Sequence, residues 1–215
     1  MGTMSVSKLG GLSLIVGPII AVASFLIRPG GGIVGGTVDP ADAAASIGIL
    51  MANADLASIS YTLGALGLII LLYGVRALVA SMEGANGAAL AQYGSLILLF
   101  ATAAWVLSSA LALVIASGNA GAAVGAVFAT GLGINLLGAL LGPLAFLAIG
   151  YAASTNENFN KPFALIVALV SAVLVVFAVI SANDLSQLQT ANLVASIGYI
   201  VTTVWGITIG LKMMK

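Results

Sequence analysis

TGLGINLLGALLGPLAFLAIG, residues 130–150, runs the width of a bilayer without a single charge. About 20 apolar residues in a helix cross the hydrocarbon core, so the stretch reads as a membrane span. It also carries Gly131, Gly133, Gly138, Gly142, Pro143 and, near its middle, Asn135. Those residues pose the question that the rest of the chain must answer. Either they form a seam where helices press together, or they line a place where something is bound.

The whole composition agrees with a lipid solvent. Of 215 residues, 61% are hydrophobic and 6% are charged; a typical soluble domain is roughly 25% charged. Six segments pass the length test, at 9–27, 56–76, 89–117, 125–151, 162–181 and 191–211. The alternating pattern of a barrel strand is absent, and helices satisfy their own backbone groups in lipid. The chain is therefore expected to be all-α: a single domain, residues 1–215, built as a polytopic six-transmembrane-helix bundle. The apolar run near the N-terminus continues through SFLI to Arg28, so it is read as a span and not as a cleaved leader.

Basic residues orient such a bundle. With six spans, Lys8, Arg76, Lys161, Lys212 and Lys215 share the terminal side and Arg28 alone lies opposite. The expectation is a multi-pass protein of the cell membrane with both termini cytoplasmic. The longest external connection, residues 28–54, opens with RPGGGIVGG and continues as DPADAAASIGILMANAD. Asp39 is the expected cap, with Pro40 in the first helical position and Asp42 in the first turn. Ala43, Ile47, Leu50, Met51 and Ala54 follow helical spacing, which predicts a short amphipathic helix on the bundle's outer face. Asp55 then begins the second span.

Small residues recur on two later spans. Gly131, Asn135, Gly138, Ala139 and Gly142 share a face of the fourth, and Gly138 with Gly142 forms GxxxG. Gly121 and Gly125 form another. On the third span Ser95, Thr102, Ser109 and Ala116 recur every seven residues, a period that keeps one seam facing a partner. Lipid tails are as apolar as leucine, so close backbone approach sorts these helices. Tight packing of the two is expected, with Asn135 bonded to Thr102, Ser108, Ser109 or a carbonyl, and a kink at Pro143. Trp105 and Trp205 lie too deep for an interfacial belt and need partners for their indole N–H groups. ASISY at 57–61 and ASIGY at 195–199 hint at a repeated hairpin, but so biased a composition repeats itself by chance.

Residues 39–64, DPADAAASIGILMANADLASISYTLG, resemble the external segment of uncharacterised families of small six-span prokaryotic integral membrane proteins, domains of unknown function. In these an Ala- and Asp-rich stretch leads from the first span into the second. The resemblance covers mostly the first two spans and implies a helical bundle. It carries over no activity and no catalytic residue. The cytoplasmic turns here have fewer charges than a typical member.

The chemistry is constrained. The chain has no cysteine and no histidine, and no ionisable group falls inside a span. Enzyme activity, proton-coupled transport, a metal site and a cofactor are therefore not expected. The balanced charge gives no reason to expect nucleic acid as a partner. The leading expectation is a non-catalytic structural or accessory subunit of a homo- or hetero-oligomeric membrane complex. Its partners would be membrane lipids and other membrane subunits, or copies of itself. The alternative is a channel or transporter for a small neutral solute or lipid, through a polar path near Asn135. Thr102, Ser109, Gly131, Asn135, Gly138, Gly142 and Pro143 are the intramembrane candidates in either case.

Overall fold

The structure, a computed structural model, describes residues 4–31, 36 and 38–215; positions 32–35 and 37 of the glycine-rich connection lie outside them. Seven α-helices are described: α1 Val6–Ile27, α2 Ala43–Ala52, α3 Ala54–Ala80, α4 Ala88–Ala116, α5 Val124–Ser154, α6 Lys161–Asn183 and α7 Leu188–Met213. Short 3-10 turns lead into α5 and α7. All but α2 are long and apolar enough to cross a membrane. The chain is an all-α bundle of six such helices. Each observed helix overlaps its expected span and extends beyond it by up to a turn at one or both ends, except α4, whose ends fall within a residue of those expected. The ends obey local rules: Asn160 accepts from the Phe163 amide at 3.1 Å, ahead of Pro162 in the first turn of α6.

The short helix between the first two spans is present, with its start moved. Asp39 accepts from the Ala41 amide and holds a turn, while Asp42 caps α2 by accepting from the Ala45 amide at 3.0 Å. Pro40 and Ala41 belong to that turn, because Asp42 offers the same cap one turn later. The inward residues of α2 are Ser46 and Leu50, whereas Ala43 and Met51 are exposed. Leu50 packs with Ala57, Ile115 and Ala116, so α2 sits over the end of the bundle formed by α3, α4 and α5. At the α6–α7 turn, the hydroxyl and amide of Ser186 hold the Asp184 carboxyl below the usual carboxylate range. That contribution is present above the ordinary value of 3.8 and fades as pH falls beneath it.

The six long helices pack in sequence as a closed ring. Each neighbours the next along the chain, and α7 returns to α1. Both termini therefore share one face: the Ser7 hydroxyl donates to the Met213 carbonyl at 2.8 Å. The half of the ring nearest this terminal face is solid. Leu14, Val75, Leu78, Ile149, Val167 and Trp205 belong to one buried cluster there.

The tightest seam lies between α1 and α3. Gly10, Gly17 and Ser24 on α1 and Ser60, Gly67 and Gly74 on α3 are buried, each set spaced by seven. A Cβ on Gly67 would stand 2.6 Å from the Ala21 amide nitrogen and 2.9 Å from the Gly17 carbonyl. One on Gly74 would stand 2.7 Å from the Leu14 nitrogen, and one on Gly17 would strike the Leu71 backbone. The neighbouring face of α1 closes the ring on α7: a Cβ on Gly11 would be 2.6 Å from the Gly210 carbonyl. Gly10 and Gly11 thus serve α3 and α7 respectively. In lipid, where apolar burial does not sort helices, this backbone contact supplies the attraction.

Gly67→Ala is expected to destabilise the detergent-solubilised protein by about 1–3 kcal/mol, read as a lower midpoint of thermal unfolding. Gly133→Ala, where an added Cβ meets nothing within 4 Å, should be neutral or stabilising by up to about 1 kcal/mol, because alanine is the better helix former. Equal midpoints for the two variants would remove the α1–α3 seam from the account.

Candidate functional site: a chamber inside the ring

Beyond the solid half, the ring is hollow. A chamber of about 200 Å³ opens inside it, lined by residues from all six long helices and mostly apolar. One water needs roughly 10–15 Å³ measured this way, so the space exceeds that of a single buried water more than tenfold. The lining extends along α1 from Leu14 to Arg28, which at 1.5 Å per residue is about 21 Å. A second chamber of about 130 Å³ lies under α2, bordered by Ser46, Ile49 and Leu50 of that helix. Arg28, Tyr61, Ser108, Asn135, Leu188 and Asn192 line both. The two chambers therefore adjoin, one beneath α2 and the other reaching the buried cluster.

Trp105 changes how α4 and α5 meet at this depth. Nearer the terminal face they touch closely: a Cβ on Gly94 would lie 3.0 Å from the Ala145 carbonyl. Further along, the indole of Trp105 lies across Gly138 and Gly142. A Cβ on Gly138 would be 2.8 Å from its Cδ1 and Nε1, and one on Gly142 would overlap the far edge of the ring. The GxxxG of α5 is thus a bed for an aromatic side chain and not a backbone-to-backbone contact. From that bed Trp105 meets Tyr199 of α7 edge-on, at 6.3 Å between centroids and 89° between planes. Tyr199 meets Phe25 of α1 in the same way, at 6.4 Å. The Arg28 guanidinium lies 4.0 Å above the Phe25 ring, a distance suited to cation–π attraction.

Among the described residues, the expected bond from Asn135 is not made. Ser108 donates instead to the Gly131 carbonyl at 3.0 Å and Ser109 to the Trp105 carbonyl of its own helix at 2.8 Å. Both hydroxyls are spent on backbone, and Asn135 faces the chambers. Of the other candidates, Ser109 and Pro143 line the main chamber and Gly131 the upper one. Thr102 is buried on the α4 stripe and lines neither. The structure therefore gathers Ser109, Asn135 and Pro143, places Gly138 and Gly142 under the indole, and leaves Thr102 apart. The second GxxxG holds nothing: added Cβ atoms on Gly121 and Gly125 meet no atom within 4 Å.

Sequence reasoning did not single out Arg28, Tyr199, Tyr61 and Asn192 as lining residues. Both tyrosines end the similar pentapeptides ASISY and ASIGY, the one signal that pointed to them. Pro18 and Pro143 also line the chamber. Each leaves the carbonyl four residues earlier, on Leu14 and Ala139, without its helical donor. Leu14 and Ala139 are lining residues as well.

Comparison with protein-family models, with curated proteins and with solved structures gives no match to this chain. The geometry carries the functional reading alone.

With Trp205 replaced by phenylalanine, Trp105 becomes the one tryptophan reporter. In that background Gly142→Ala is expected to lift the indole from its bed, shifting its emission and costing about 1–3 kcal/mol. Gly131→Ala meets Leu111 at an ordinary 3.4 Å and should leave the spectrum unchanged. An unaltered Trp105 spectrum in Gly142→Ala would contradict the packing described.

Proposed function

We propose that the protein is a multi-pass cell-membrane protein that binds, and serves to carry, a small lipid-like molecule in the chamber beside Asn135. One observation supports this above all: the six-helix ring is hollow in one half and filled in the other. Ligand sites are concave, mostly apolar and furnished with a few polar groups, and the amides of Asn135 and Asn192 with the phenols of Tyr61 and Tyr199 fit that description. A space that abuts a filled half suits binding or alternating access better than an open channel. Five of the six basic residues lie on the terminal face, so the termini are assigned to the cytoplasm and the α2 face to the exterior. This reading takes the alternative that the sequence left second and moves it to first place.

The absence of native cysteine provides a clean test. Asn135→Cys should react with a membrane-impermeant thiol reagent added outside intact cells. Ala153→Cys, in the filled half, should not. Protection of both positions alike would defeat both the outward opening and the orientation.

Membership of a larger membrane assembly is a second reading, and a separate observation favours it. Gly125, Ala129 and Gly133 are exposed at four-residue spacing along α5, and added Cβ atoms on the two glycines meet nothing within 4 Å. Such a face lets another helix approach closely. Native mass spectrometry from a mild detergent reads both proposals at once. A retained small molecule of lipid mass supports carriage, and a mass above one chain supports assembly. A bare monomer, unable to take up any added amphiphile, would speak against both.

A further inference from the structure

Resting on the chamber reading above, we infer that the bound molecule is an amphiphile with an anionic head, a carboxylate or phosphate, held by Arg28 at the α2 end of the chamber. The argument starts from charge. Arg28 lines both chambers, and no acidic residue does among the described residues. The residues that follow in sequence, 32–37, include no aspartate or glutamate. The four acids of that face are exposed, and three of them are engaged in turns: Asp39, Asp42 and Asp184 each accept from a backbone amide. The guanidinium therefore rests on the Phe25 ring with its charge uncompensated at the end of an apolar space. A planar fork of five donors matches a carboxylate or phosphate in a way that an ammonium does not. Asn135, Asn192 and the two tyrosines supply neutral polar groups elsewhere in the lining.

The remaining length of the chamber argues for a tail. From Arg28 the lining runs inward about 21 Å along α1, more than the roughly 15 Å of one leaflet's hydrocarbon half. It ends among Leu14, Val75, Phe146 and Trp205. A tail gains little by leaving lipid for such walls, because both are equally apolar. Discrimination between ligands must then come from the head, where Arg28 stands. The exposed carboxylates of the same face repel small anions arriving through water, which favours an amphiphile over a free ion.

Trp105 and Trp205 are the only tryptophans and both line the chamber, so a brominated tail reports its own binding by quenching. In a neutral maltoside detergent, amphiphiles with one brominated chain and a carboxylate, phosphate or phosphocholine head are titrated against the full-length protein. The carboxylate and phosphate forms should quench saturably and more tightly than the phosphocholine form. Arg28→Gln should weaken the two anionic forms roughly tenfold or more and abolish the preference, with the phosphocholine form unchanged. Arg28→Lys should retain a preference, which guards against a fold defect in the glutamine variant. An unchanged preference in Arg28→Gln, or equal quenching by all three heads in the wild type, would overturn the anionic assignment while leaving the chamber reading intact. Displacement by inorganic phosphate alone would overturn it in favour of a free-anion site. Failure of every amphiphile to quench would remove the chamber reading and this inference with it.

Discussion

Backbone contact between α1 and its two neighbours is the constraint on which the rest of the structure depends. In water, a helix with glycines at positions 10, 11 and 17 would be poorly stabilised. In lipid, those absences of side chain are what bring helices together, because the leucines have nothing to gain by changing apolar neighbours. Gly17 meets α3 and Gly11 meets α7. The first long helix therefore joins the second to the last, and a row of hairpins becomes a ring. Helices packed only to their sequence neighbours would leave an open sheet of helices without an interior.

The filled and hollow halves follow from how much side chain each level carries inward. Toward the termini, Gly94 lets α4 and α5 close to near contact, and Leu78, Ile149 and Val167 fill the centre. Toward α2 the ring is joined across by large rigid groups. Trp105 occupies the bed on α5, and through Tyr199 and Phe25 the aromatic edges connect α4 to α7 and α1. Aromatic pairs of this kind prefer edge-to-face geometry and are worth about 0.5–1.5 kcal/mol each beyond burial. The α2 helix, capped by Asp42 and pinned through Leu50, then covers the end of the hollow half.

The same arrangement decides the electrical character of the interior. Arg28 is the last residue before the chain turns, and its neighbour Pro29 is buried. The turn leaves the guanidinium over Phe25 and along the rim of the chamber. In a bundle with a solid core, a boundary arginine would extend its stem toward water. Here the hollow gives it an interior to face.

Much of this was legible in the residues. The count of six long helices, their limits to within about a turn and the short α2 helix follow from apolar length and capping chemistry, both local properties. A seven-residue stripe was read on α4. The equivalent stripes at Gly10, Gly17 and Ser24, and at Ser60, Gly67 and Gly74, carry the same signal and the tighter seam. The candidate site was half legible: Asn135 was singled out as a residue to explain and lines both chambers, but was assigned a bond that it does not make among the described residues. No local rule states whether a small residue will receive a backbone, as Gly67 does, an indole, as Gly142 does, or nothing, as Gly125 does. That choice depends on which helix arrives opposite and at what distance. Sequence by itself determined the solvent, the helices and their ends; the ring closure, the hollow half and the inward place of Arg28 were decided only in three dimensions, because a void is a property of the space between helices and of no residue alone.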